Sequence, residues 1–212
     1  MPSVSTPPRY PSRYSQDVTA YAPDTALVVV DVQNDFADPD GSLYVPGGDT
    51  QVVPAVNHQI TLALEAGASV FYTQDWHPER TPHFAIDGGI WPVHCVAGTA
   101  GADFHPDLRI EGPSVHKGAG GEDGYSGFTM RDPTSGEEIP TELASMIRKA
   151  GCHHVVVVGL ALDYCVKDTA LDAAREGFDT TVLLAATAAV NLDPGDGKAA
   201  VEQLRGAGVT VD

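Results

Sequence analysis

Four short runs of apolar and β-branched residues constrain this chain most: ALVVVDV at 26–32, SVFYT at 69–73, HVVVVGL at 154–160 and TTVLLAA at 180–186. A continuous run of this length reads as a strand buried on both faces. Helical patterns fall between them. One runs through Val52, Val56, Ile60, Leu62 and Leu64 and stops at Gly67. Others cover Glu142 to Ala150, Cys165 to Glu176 with Gly177 as the stop, and Lys198 to Arg205. Val115–Lys117 and Val209–Val211 add shorter strand ends. Strands alternating with helices predict βαβ units, hence an α/β fold with three αβα layers around a central, mostly parallel sheet.

The 212 residues suit one domain. Residues 1–23 read as a flexible N-terminal arm rich in Pro, Ser and Tyr, and residues 24–212 as the single folded domain. The arm has no apolar core of a signal peptide, and no run approaches the ~18 apolar residues of a membrane span. A formal charge of −17 repels phosphate backbones and anionic lipid, so no nucleic-acid or membrane partner is expected. The same field suits a neutral or cationic small molecule. Three cysteines make no disulfide framework and suit a reducing, cytoplasmic setting.

In parallel sheets, ligands bind at the carboxyl ends of strands. Asp31, Asp75 with His77, Lys117 and the GLALDYC turn leading to Cys165 all stand at such ends. Cys165 opens a helix, where free N–H groups and the dipole favour a thiolate and an oxyanion. Taken alone, it reads equally as a small buried hydrophobe. Asp31 is a candidate general base or a loop-capping carboxylate; Asp35 reads as structural. Lys117 either favours anionic neighbours or snorkels at the surface. Asp75 and His77 are two apart, so in extended chain they point to one side. His83 and His94 follow in the same Pro-rich loop, which runs from Asp75 to about Asp107. One carboxylate and three imidazoles suit a divalent ion: zinc, iron or manganese. Cys95 in place of His94 is the alternative fourth ligand. Phe36, Trp91 and Tyr125 are either an aromatic pocket for a flat ligand or ordinary packing.

The stretches ALVVVDVQNDF (26–36), YTQDWHP (72–78), WPVHCVAGTAGADFHPDL (91–108), HKGAGGEDGYSGF (116–128) and VVVGLALDYCVKDTALDA (156–173) together resemble the nicotinamidase/pyrazinamidase group of the isochorismatase-like cysteine hydrolases. The resemblance runs from about Thr25 to the C-terminus. It implies that Asp31, Lys117 and Cys165 are a catalytic triad and that Asp75, His77, His83 and His94 hold one metal ion, zinc first and iron or manganese as alternatives. It implies a cis peptide before Ala161, an oxyanion hole of the Ala161 and Cys165 N–H groups, and Phe36, Trp91 and Tyr125 as the ring pocket. The implied activity is hydrolysis of nicotinamide, and of pyrazinamide, through a cysteine thioester in NAD salvage. The alternative is a sister amidohydrolase acting on a carbamoyl, ureido or other small amide. Members commonly self-associate, so a homo-oligomer is a possible partner state. Two departures stand out. The HPERTPHF segment separates His77 from His83 by six residues, and the arm has no counterpart in the pattern.

Overall fold

The computed structural model describes residues 21–212. Most of the expected arm therefore lies outside the described residues. Near its end, Tyr21 packs against the core and its hydroxyl donates to Gln59 Oε1 at 2.9 Å.

Six strands form the central sheet: β1 Thr25–Val30, β2 Ser69–Asp75, β3 Ser114–Lys117, β6 His154–Leu160, β7 Asp179–Ala188 and β8 Thr210–Val211. Their order is β3-β2-β1-β6-β7-β8, and every neighbouring pair is parallel. All six β1 residues are buried, as the continuous apolar run predicts for a central strand. Leu27 and Val29 face one core with α2 (Val53–Glu65), whose Val53, Val56, Ile60 and Ala63 form its buried stripe. Ala26, Val28 and Val30 face the other core, covered by α3 (Leu143–Lys149), α4 (Lys167–Arg175) and α5 (Asp196–Gly206). The architecture is the expected αβα sandwich.

Two elements differ from the sequence-based expectation. DVQNDF is a loop by composition, but its end forms the one-turn helix α1 (Asn34–Ala37). The Gly-rich segment after Lys117 leads into a short antiparallel hairpin, β4 Thr129–Arg131 with β5 Glu138–Pro140. Its strands are short and half-exposed to exposed, too brief for a periodic signal to register.

Strand order sets the location of the site. From β1 the chain moves outward to β2 and β3, then crosses back to β6 on the other side of β1. That reversal opens a crevice at the carboxyl ends of β1 and β6. Gly159 lets these two strands approach: its φ is +110°, and a Cβ there would lie 2.1 Å from the Val30 carbonyl oxygen.

Candidate active site

At the carboxyl edge of the sheet the candidate residues converge. Parallel register sets Asp75 directly opposite Lys117 on β2 and β3. Asp31 follows β1 in a left-handed conformation, φ +47°. Lys117 reaches across the floor: its Nζ forms an ion pair with Asp31 Oδ2 at 2.8 Å and donates to Asp75 Oδ1 and to Cys165 Sγ at 3.5 Å. Thr73 Oγ1 donates to the second Asp31 oxygen at 2.6 Å. Ligating atoms of Asp31, Asp75 and Cys165 all lie within 4.8 Å of one another. Asp31 and Lys117 are 0% and 1% exposed, so the snorkelling alternative for Lys117 is gone.

Cys165 lies in a wide helical turn, Leu162–Val166, that feeds into α4. The Leu160–Ala161 peptide bond is cis, and the Ala161 carbonyl accepts from the N–H groups of Tyr164 and Val166 at 3.1 and 3.0 Å.

Burial and neighbouring charge compete over the protonation states. It works against the Lys117 charge, yet the adjoining carboxylates of Asp31 and Asp75 outweigh it and hold the ammonium well above its ordinary range. Burial also pushes Asp31 up to about 6, against the downward pull of Lys117. For Asp75, burial is overcome by Lys117, His77 and His94, and its pKa falls to about 2. The Cys165 thiol rises well above its usual value, because burial, with Asp31 and Asp75 nearby, exceeds the help from Lys117. The helix start favours a thiolate, and burial opposes it. Desolvation is the larger effect here, so the group at rest is a thiol facing a carboxylate.

Above this floor, His77, His83 and His94 each present a ring nitrogen within 4.8 Å of the others, and all three are buried. Asp75 Oδ2 lies 3.8 Å from His77 Nε2 and 3.9 Å from His94 Nε2. His94 donates through Nδ1 to the Pro92 carbonyl at 2.7 Å, which turns Nε2 inward. Both His77 ring nitrogens are buried without a hydrogen-bond partner, and a bound cation would satisfy one of them, Nε2, which faces Asp75. Burial pushes His77 down to about 4 and also lowers His94, so both rings are neutral, the form that ligates metal. Gly118 permits this packing: a Cβ there would lie 2.7 Å from His77 Nδ1. The donor set therefore fits a divalent ion. Cys95, the alternative ligand, is turned away. Its Sγ lies against the Gly101 carbonyl, and its N–H is held by Asp35 Oδ2 at 2.7 Å. Asp35 also accepts from the Ser42 N–H at 3.1 Å, which is a structural role.

Beside the histidines is a largely apolar cavity of about 360 Å³, counting its open mouth. Phe36, Trp91 and Tyr125 line it, with Cys165 and Ala161 at one side and His83 and His94 at another. Trp91 Nε1 donates to the Tyr125 hydroxyl at 3.0 Å, and both rings pack edge-on against Tyr164. Leu43, Val45 and Val190 complete the wall. No sequence pattern pointed to them, because Leu43 and Val45 come from the loop after α1 and Val190 from the loop after β7.

Gln33 is a further residue that the sequence reading passed over. It is fully buried, and its side chain grips the Asp75 backbone from both sides. Nε2 donates to the Asp75 carbonyl at 2.8 Å, and Oε1 accepts the Asp75 N–H at 2.9 Å. Nε2 also donates to the Ala102 carbonyl at 2.8 Å. The available signal was weak, because Gln33 stands two positions after Asp31 within the polar stretch DVQNDF. Gln33→Ala removes the side-chain partners of the Asp75 N–H and carbonyl, while the Ala102 carbonyl keeps Gln74 Nε2 at 3.0 Å; the expected cost is about 2–4 kcal/mol of stability, as roughly one to three kcal/mol is typical for each buried group deprived of its partner. Denaturant unfolding measures it; a cost below 0.5 kcal/mol, on the order of a surface substitution, would refute the clamp.

A three-layer fold with a buried carboxylate, lysine and thiol at the switch point of its parallel sheet, beside a cluster of imidazoles, is an arrangement suited to a hydrolase. Residues 25–211 match the isochorismatase domain, and the chain belongs to that family. It is 41% identical over 189 residues to the nicotinamidase/pyrazinamidase of Mycobacterium tuberculosis, covering 87% of this chain and 96% of that protein. Among solved structures, the pyrazinamidase of Pyrococcus horikoshii in complex with zinc superposes with a TM-score of 0.78 at 38% identity, covering 90% of this chain and 99% of the other. PnC1 from L. infantum in complex with nicotinate gives 0.79 at 35% identity, covering 92% and 95%.

Proposed function

We propose that this protein hydrolyses nicotinamide to nicotinate and ammonia, with pyrazinamide as a second substrate. The observation that carries the reading is the buried Asp31–Lys117–Cys165 cluster at the floor of an aromatic pocket edged by histidines. The similarity to a nicotinamidase/pyrazinamidase and to a nicotinate complex supports the choice of substrate.

Asp31 takes the Cys165 proton as the thiol attacks the carboxamide carbon, with Lys117 holding the cluster together by charge. The N–H groups of Ala161 and Cys165 receive the developing oxyanion. Asp31 returns the proton to the departing nitrogen, ammonia leaves, and a thioester remains. Water then attacks the thioester with Asp31 again as base, releasing the carboxylate and restoring the thiol. Asp75, His77, His83 and His94 would hold a divalent ion, zinc by the precedent of the zinc-bound relative. When bound, that ion supplies a Lewis-acid anchor for the ring nitrogen. Phe36, Trp91 and Tyr125 sandwich and orient the ring. The three free, buried thiols support a cytoplasmic setting.

The test is ammonia release from nicotinamide, pyrazinamide and a panel of carbamoyl and ureido amides, before and after chelation. Turnover of nicotinamide that falls on chelation and returns with zinc supports the reading. Turnover only of the aliphatic amides would replace it with the sister activity.

The raised Asp31 carboxyl sets a pH dependence. A general base must be ionised, so activity is retained above its pKa and lost as pH falls through it. With Asp31 at about 6, kcat/KM is expected to fall roughly tenfold per unit below pH 6 and to level off above it. Metal content is checked at each pH. A flat profile down to pH 5 at full metal occupancy contradicts Asp31 as the base.

A further inference from the structure

Asp123 lies 40 residues from His83 in sequence and outside every group assigned above, yet its Oδ1 accepts a hydrogen bond from His83 Nδ1 at 2.7 Å. His83 is buried, while the Asp123 side chain is half-exposed. With Nδ1 occupied, Nε2 is the atom His83 can offer to the histidine cluster. His94 is turned inward by a bond of the same kind, from Nδ1 to a carbonyl. His83 receives instead a carboxylate, a stronger acceptor that makes the ring a better electron donor.

Asp123 is itself held in place. Its backbone N–H and carbonyl pair with Arg131 on β4 in an antiparallel bridge, so the hairpin anchors the Gly-rich segment beneath the metal loop. The Gly124 N–H donates to the same Oδ1 at 2.8 Å, fixing the carboxylate rotamer. The 75–107 loop and the Gly-rich segment, which the sequence leaves independent, therefore meet at the bond from His83 to Asp123 as well as at the one from Trp91 to Tyr125.

We propose that Asp123 is a positioning residue for the metal site: it sets the tautomer and direction of His83, so that His83 serves as a ligand despite the six-residue spacing from His77. This rests on the reading of the histidine cluster as a metal site. It gives the β4–β5 hairpin a role in metal affinity through the pairing of Arg131 with Asp123.

The experiment measures zinc affinity of the full-length protein by chelator competition, together with the visible absorption spectrum of the cobalt-substituted form. Asp123→Ala is expected to weaken zinc binding 10–100-fold, the usual effect of losing an outer-shell partner, and to alter the cobalt bands. Asp123→Asn, which keeps an acceptor oxygen without the charge, is expected to recover part of that loss. The metal-free melting temperature of both variants should match wild type, since the side chain is half-exposed. In a His83→Ala background, Asp123→Ala should cost no further affinity, because a residue acting through His83 has nothing left to position. Unchanged zinc affinity in Asp123→Ala, or an equal loss with and without His83, overturns the assignment. Absence of zinc uptake by the wild-type protein overturns the metal reading and this inference with it.

Discussion

Cys165→Ala is expected to lower nicotinamide turnover by ~10⁴-fold or more, about 5.5 kcal/mol of barrier, since each ~1.4 kcal/mol is a factor of ten. Removing the nucleophile eliminates the covalent route, and the remaining groups cannot substitute for it. The oxyanion donors still bind and polarise the amide, so a small residual rate over water is expected, as in other enzymes stripped of their nucleophile. The loss should fall on kcat, because Sγ forms only one edge of a pocket otherwise built from aromatic and aliphatic side chains. Ammonia release and nicotinamide binding, measured on the same preparation, separate the two. Single turnover of the wild type, quenched and weighed, should show an acyl adduct on the peptide carrying Cys165. Activity of the variant within tenfold of wild type sinks the thioester path.

Lys117→Ala is expected to have the largest effect on stability. The ammonium is the cation shared by Asp31 and Asp75, both buried, and it also faces the thiol. Removing it leaves two carboxylates without their shared cation in a low-dielectric site. Losing one member of such a buried cluster typically costs roughly 3–5 kcal/mol. A cavity adds to the cost in Lys117→Ala, so Lys117→Met, which keeps most of the volume, isolates the electrostatic part. Both variants should be inactive, because an Asp31 with no neighbouring cation is driven further toward its neutral form and loses its function as a base. Chemical denaturation of the metal-free protein gives the stability change. A loss below about 1 kcal/mol in Lys117→Met would mean that the ion cluster contributes little to the fold, the outcome typical of exposed pairs.

Much of this site was legible in the sequence, for a geometric reason. Parallel strands all end on one edge of the sheet, so polar residues that terminate apolar runs collect there without any knowledge of strand order. Asp31 after ALVVV, Asp75 after SVFYTQ and Lys117 after SVH are of this kind, and the structure brings them together. The histidines were countable within one loop, but the direction of each ring was not. Cys95 has φ +45° and its Sγ lies against the Gly101 carbonyl, while His94 presents a ring nitrogen to the cluster. Gln33 and Asp123 were not legible, since each acts through a hydrogen bond to a residue some 40 positions away.

The sequence by itself determined the layering and the chemistry available. Continuous apolar runs require cover on both faces, and only a sheet between helices provides it. The carboxylates, lysine, thiol and imidazoles are fixed in kind by composition. Tertiary structure alone decided their states and partners. Placing β1 between β2 and β6 brings Asp31 to Cys165 and lets Lys117 serve two carboxylates. Enclosure by residues distant in sequence removes water, and that desolvation makes Cys165 a thiol at rest and raises Asp31 toward the working range of a base.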